Sequence, residues 1–104
     1  MQTQNLYEMF SSDPVEANKK FLKAKLAVSI VAMIRANGWN QKAASEHLNV
    51  SQPRVSNIVR GRLEKFSIDT LIEMFLRMGY KVEADVHPNN ESLPFSMGIK
   101  KAML

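Results

Sequence analysis

The residues best equipped for chemistry lie between positions 51 and 62, SQPRVSNIVRGR. Gln52 carries an amide that can pair bidentately with adenine, or brace a neighbouring side chain. Arg54 carries a planar fork that matches guanine O6 and N7, and Asn57 can reach another base edge one turn further on. Ser56 can meet a base or a phosphate. Around these four sit Gln41, Lys42, Ser51, Arg60 and Arg62, polar or basic groups suited to phosphate oxygens. The chemistry they imply is recognition of double-stranded DNA by hydrogen bonding, without bond making or breaking. No acid stands among the base-reading set.

These side chains need a scaffold that turns them to one side. The stretch 41–61, QKAASEHLNVSQPRVSNIVRG, predicts two short helices joined by a tight corner. Asn40 is placed to cap the first helix, over 41–48, where Ala43, Ala44 and Leu48 form a thin apolar face. Asn49-Val50-Ser51 is the corner: Asn tolerates a left-handed backbone, and Ser51 can cap the second helix. Gln52 and Pro53 occupy the first turn of that helix, where a proline lacks nothing. Val55, Ile58 and Val59 recur at helical spacing and are expected to face inward, leaving the polar set outside. This is the pattern of a helix-turn-helix whose second helix enters a major groove.

Upstream, Asp13-Pro14-Val15-Glu16 reads as a helix start and Gly38 as its stop. Between them Leu22, Leu26, Ile30 and Met33 share one face, while Ala17, Phe21, Ala24, Val28 and Val31 fall nearly opposite. A helix apolar on two sides needs two partners. Trp39 is expected to lid the core, and His47 to lie on the surface. Downstream, Ser67 caps a helix whose predicted buried stripe is Leu71, Ile72, Phe75 and Leu76, with Phe66 stapled onto Leu71. Met74 and Met78 read as core filler, and Gly79 ends the helix. Tyr80, Val82, Ala84 and Val86 then alternate with Lys81, Glu83 and Asp85 as a half-buried strand. Alone, such a strand leaves backbone groups unpaired. Antiparallel pairing with its copy in a second subunit is the simplest remedy, and it builds a two-fold dimer. The tail after Pro88 mixes turn residues with Leu93, Phe95, Met97, Ile99 and Leu104. It reads equally as a frayed end or a partner-binding segment, and residues 1–12 show no period.

Charge is unevenly spread. Residues 1–18 carry −3, residues 19–65 carry +8 and residues 66–104 carry −1, within a chain of net charge +4. The basic block coincides with the motif, as an electrostatic footprint for phosphate requires. With no cysteine, the chain has neither disulfides nor thiolate metal sites. No run approaches the roughly 18 apolar residues of a membrane span, and no secretory pattern opens the chain. His47 and His87 are isolated from carboxylates at ligand spacing, and no glycine-rich phosphate loop is present. The expectation is a non-enzymatic protein without cofactor or metal, at work in the cytoplasm and on the nucleoid when bound.

The segment 41–61 resembles the helix-turn-helix of the phage-repressor, or Xre, family. The longer run from Lys23 to Val86, with SQPRVSNIVRGRLEKFSIDTL, an apolar helix, MGY and a short strand, is similar to small antitoxins of HigA kind. That resemblance covers about three-fifths of the chain. Where the family usually has Ala in the first helix and Gly at the corner, this chain has Ser45 and Asn49. Trp39 and Asn40 replace a more usual Leu and Thr. The resemblance implies a mainly all-α, five-helix-like phage-repressor domain with one C-terminal β-strand pairing across a homodimer. Together with the charge pattern, this divides the chain into an acidic extension over 1–18 entering the first helix, the DNA-binding domain over 19–79, a dimerisation strand over 80–87 and a tail over 88–104. Functionally it implies a repressor of an inverted-repeat operator. The repressor is the antitoxin of a RelE/HigB-like ribonuclease toxin in the leading reading, with the acidic N-terminal segment, the outer face around Phe21 and Val28, or the tail as candidate toxin contacts. A stand-alone or phage-type regulator without a toxin is the alternative, and a pure protein-interaction module that has lost DNA binding is a third.

Overall fold

A computed structural model of the chain describes residues 13–102. The unassigned stretch 1–12 lies outside them, with most of the acidic extension and Leu104. In chain order the elements are α1 (Pro14–Ala36), α2 (Gln41–Leu48), α3 (Gln52–Val59), α4 (Ile68–Arg77), β1 (Tyr80–Val86) and β2 (Phe95–Lys101). The architecture is mainly helical: four helices and a two-stranded antiparallel sheet among the described residues.

Local chemistry sets the helix ends. Asp13 accepts a hydrogen bond from the Val15 backbone N–H at 3.0 Å, with Pro14 in the first turn. At the other end Gly38 takes φ +68°, letting Gly38 N–H donate to Arg35 and Trp39 N–H to Ile34. That is a Schellman closure, and it folds Trp39 back against the core. The Trp39 indole also stacks on His47, with ring centroids 4.0 Å apart and planes 8° from parallel. His47 is therefore exposed but not unattached: it clasps the α1–α2 connection to α2.

The core gathers Ala27, Ile30 and Ile34 of α1, Ala44 and Leu48 of α2, Val55 and Ile58 of α3, Phe66, and Leu71, Met74 and Phe75 of α4. The buried line of α1 runs between the two apolar faces read from the sequence. Leu26 and Met33 flank it on one side and Val31 on the other, all partly buried. Phe21, Leu22 and Val28 stay exposed. On α4 the inward stripe is Leu71, Met74 and Phe75, while Leu76 is exposed and Ile72 is half-buried. Ser67 caps α4 through the Thr70 N–H, and Phe66 and Leu71 are both inside the core.

The strand is not alone. The tail turns back and pairs residue for residue with β1, from Tyr80 opposite Lys101 to Val86 opposite Phe95. The expectation of one strand that must seek its partner in a second subunit is thus corrected: β2 satisfies one edge of β1 within the chain. Asn90 organises the connection, its side-chain oxygen accepting from the Ser92 and Leu93 N–H groups. The far end is tied down by Ala102 N–H donating to Gly79. The hairpin meets the helices through Tyr80, which packs edge-on against Phe75 and directs its hydroxyl to the Met33 sulfur at 2.9 Å. Val82, Ala84 and Val86 lie opposite Ile99, Met97 and Phe95, giving one apolar face. Towards the tip it is exposed, at Val86, Phe95 and Met97.

The opposite face of the hairpin is ionic. Glu83 stands 2.9 Å from Lys81 and 2.8 Å from Lys100. The Lys100 hydrogen bond, then the Lys81 one, hold its carboxyl at about 2, against an ordinary value of 4.5, and Lys100 is raised in return. Because the folded value is the lower, this contribution is complete above the unfolded value and disappears as pH falls towards 2. The group is exposed, so salt weakens it. Glu83→Gln should lower the melting temperature at pH 6 in dilute buffer, with the gap to wild type closing towards pH 2 or in concentrated salt. A gap independent of pH and salt would mean that the cluster contributes nothing electrostatic.

Candidate nucleic-acid interface

The helix pair α2–α3 is built as its sequence predicts. Asn40 caps α2, accepting from the Ala43 N–H at 2.8 Å. Asn49 closes it in the left-handed region, φ 56° and ψ 47°, as the one non-glycine with positive φ among the described residues. Ser51 accepts from the Arg54 N–H at 3.3 Å and so starts α3. Ala44 and Leu48 on one side of the corner, and Val55 and Ile58 on the other, are at most 2 % exposed. Without a side chain beyond Cβ, Ala44 lets α3 come close. Gly61, at φ +74°, ends α3 with a second Schellman closure: Arg62 N–H donates to Asn57 at 2.8 Å and Gly61 N–H to Ile58 at 3.0 Å.

Only Val55 and Ile58 of α3 are buried. Val59, expected inward, is 39 % exposed, because on a helix it sits to one side of the line joining those two. It borders a groove of about 460 Å³ between α1 and the end of α3, lined also by Ala24, Val28, Val31 and Leu63. Phe21 and Val28 lie exposed on this outer part of α1, and Lys25 rests over the Phe21 ring at 4.7 Å.

The other side of α3 is polar. Gln52 is exposed, and Arg54, Ser56 and Asn57 are half-buried. Gln41 and Lys42 are exposed in the first turn of α2, as are Ser51, Arg60 and Arg62 around the ends of α3. Arg54 flanks the buried line opposite Val59, and its guanidinium carbon lies 4.3 Å over the Phe66 ring. Helix N-termini with exposed N–H groups and neighbouring cations are suited to phosphate. A second lysine-rich zone escaped the sequence reading. Lys19, Lys20, Lys23 and Lys65 line a groove of about 470 Å³ with Glu16, Glu64, Phe66, Ser67 and Ile68, and Lys19 is paired with Glu16 at 3.5 Å. Lys23 is committed in part, donating to the Leu63 carbonyl at 3.2 Å. The signal was the lysine density of 19–25, which becomes a site only when α1 lies beside the 62–67 loop.

The corner makes a direct prediction. A β-branched residue in the left-handed region is strained, so Asn49→Val should cost about 1–2 kcal/mol in urea unfolding, whereas Asn49→Gly should be neutral or mildly stabilising. Equal stability of the Val variant would show that the corner does not depend on this backbone conformation.

Among the described residues no helix is long and apolar enough to cross a membrane. Comparison with curated proteins finds no match. A family model described as a helix-turn-helix domain matches residues 8–87, well over half of the chain. With the capped corner and its polar second helix inside that span, the chain belongs to the helix-turn-helix domain family.

Proposed function

We propose that this protein is a sequence-specific transcriptional repressor that binds an inverted-repeat operator as a homodimer and serves as the antitoxin of a type II toxin–antitoxin pair. The helix-turn-helix match supports a DNA-binding regulator. The observation that carries sequence-specific reading is the acid-free polar side of α3, raised on a corner whose apolar residues are almost solvent-free, while the antitoxin role rests on the resemblance of residues 23–86 to antitoxins of HigA kind. Gln52, Arg54, Ser56 and Asn57 read base edges; Gln41, Lys42, Ser51, Arg60 and Arg62 hold phosphates. Such a protein works in the cytoplasm, on the nucleoid when bound, with no catalytic role.

The dimer uses the hairpin. Among the described residues only one edge of β1 has a strand beside it. Antiparallel pairing of the other edge with its copy extends the ladder across a two-fold axis, with Tyr80, Val82, Ala84 and Val86 along the join. Exposed Val86, Phe95 and Met97 supply apolar area for the same contact. Residues 19–79 then act as the DNA-binding domain, 80–87 as the dimer strand and 88–104 as its support, with the acidic 1–18 as an extension. The RelE/HigB-like toxin meets the exposed Phe21 and Val28 beside the α1–α3 groove.

DNA binding is tested first. Arg54→Ala should weaken binding to a duplex selected from a random pool by about 1–3 kcal/mol and relax preference at one base position. Arg60→Ala and Arg62→Ala should weaken binding on all sequences and flatten the salt dependence by roughly one unit of slope each. The footprint should cover an inverted repeat with half-sites about one helical turn apart. Equal loss for Arg54→Ala on selected and random duplexes would move that residue to the backbone, and a single unrepeated half-site would refute the dimer.

The antitoxin role is tested by coexpression with the adjacent reading frame. That frame should arrest growth alone and be neutralised by this chain, with Phe21→Glu plus Val28→Glu abolishing neutralisation while operator binding persists. A harmless neighbour would leave a stand-alone regulator.

A further inference from the structure

We infer that Phe66 is a positioning residue for DNA reading: its ring is a fixed platform that holds the Arg54 guanidinium ready for a guanine edge. This rests on the proposed base-reading role of α3 and adds a residue outside the helix-turn-helix. Arg54 belongs to the first turn of α3, half-buried on the flank nearest the 62–67 loop. Its guanidinium carbon is 4.3 Å above the centre of the Phe66 ring. That ring is itself 2 % exposed and locked in the core with Leu71.

Among the described residues no other group claims the guanidinium. The ion pairs among the described residues join Lys19 to Glu16, Arg77 to Glu73, and Lys81 and Lys100 to Glu83. Among those residues the Arg54 side chain donates no hydrogen bond, although its backbone N–H is held by Ser51. Within the described residues the in-plane donors of this half-buried cation are left to solvent or to a ligand. The aromatic face attracts the cation through its quadrupole and covers the flat side. What remains open is the edge, and the edge is the part that binds guanine O6 and N7 bidentately.

The advantage is conformational. An arginine has several freely rotating bonds, and immobilising them on binding costs affinity. A ring that already restricts the side chain removes part of that cost before DNA arrives. It also penalises a wrong base, since an arginine held by the ring cannot swing to a phosphate without leaving the platform. Discrimination should therefore suffer more than overall affinity when the ring is lost.

The test is a double-mutant cycle with Phe66→Leu, which keeps an apolar side chain in the core, and Arg54→Ala. Binding is measured on the duplex selected by wild type and on its single-base variants, below the unfolding midpoint of each protein. Phe66→Leu alone should weaken binding to the selected duplex by about two- to fivefold. It should reduce preference only at the base position that Arg54→Ala also relaxes. In the Arg54→Ala background the same change should do nothing further to DNA binding, while still lowering thermal stability. Equal weakening in both backgrounds, or unchanged preference at the Arg54 position, overturns the platform. If Arg54→Ala itself keeps wild-type preference, base reading by Arg54 fails and the platform fails with it; if only Phe66→Leu is silent, base reading survives without the platform. Should Phe66→Leu not fold, the wild-type protein decides by NMR. Arg54 side-chain protons should be shifted upfield by the Phe66 ring in free protein and keep that shift on the duplex, and random-coil positions would overturn the proposal.

Discussion

The left-handed backbone at Asn49 is the constraint on which the rest depends. It ends α2 and aims the chain so that Ser51 can start α3 two residues later. An eight-residue helix has too few internal hydrogen bonds to be stable alone. α3 persists because Ser51 caps one end, the Gly61 closure secures the other, and Val55 and Ile58 are pressed against Ala44 and Leu48. Each support acts only at the angle Asn49 imposes. The small side chain of Ala44 matters for the same reason: two helices meeting at a tight corner cannot keep bulky residues at the crossing.

Features written in neighbouring residues were legible in the chain itself. Asp13, Asn40, Ser51 and Ser67 were each readable as caps, and each accepts a backbone N–H from two or three residues onward. Gly38 and Gly79 mark helix ends for equally local reasons. What could not be read was rotation about a helix axis. α1 has apolar residues over most of its circumference, so periodicity proposes two faces and cannot say that the core chose the line between them. Ala27 and Ile34 belonged to neither predicted face, yet both are buried. α4 shows the same limit on a smaller scale, since Met74 and Leu76 are both apolar and only the position of α1 decides that Met74 goes inside. Trp39 packs on the core as its place after Gly38 suggests, but it also pairs with the His47 ring, a contact that spacing alone does not announce.

The tail was illegible for a different reason. Phe95, Met97 and Ile99 alternate with Ser96, Gly98 and Lys100, which is strand periodicity. It is weak, because Met and Gly have little preference for extended structure and Ile99 alone is β-branched. Its meaning comes from β1, whose apolar residues Val82, Ala84 and Val86 find apolar partners at each opposed position, while Glu83 on the other face attracts Lys100. Cross-strand pairs of this kind stabilise the hairpin jointly, so neither strand announces the pairing by itself. β1 does need a partner strand, and the chain supplies the first one itself.

Shortness also explains how α3 serves two surfaces. With two buried residues in eight, its contact with the core is a narrow line, and everything beside that line is a flank. Arg54 on one flank meets Phe66, so a charged side chain gains an aromatic face without losing its edge to the core. Val59 on the other flank meets the outer part of α1, where Val28 and Ala24 leave an apolar groove uncovered. A longer or more deeply seated helix would bury both positions, and neither the guanidinium edge nor the groove wall would remain available. The charge distribution follows the same division. The base-reading side of α3 carries no acid; Arg60 and Arg62 follow its C-terminal end, and Lys42 is exposed in the first turn of α2. Most exposed apolar residues lie elsewhere, along α1 and at the hairpin tip, with Val59 on the far flank of α3 and Leu76 on α4. Water-exposed apolar surface lowers its free energy by meeting more of its kind, whereas phosphate needs cations and free N–H groups, so the two kinds of surface belong to different partners. Keeping them apart lets one small core support both without either compromising the other.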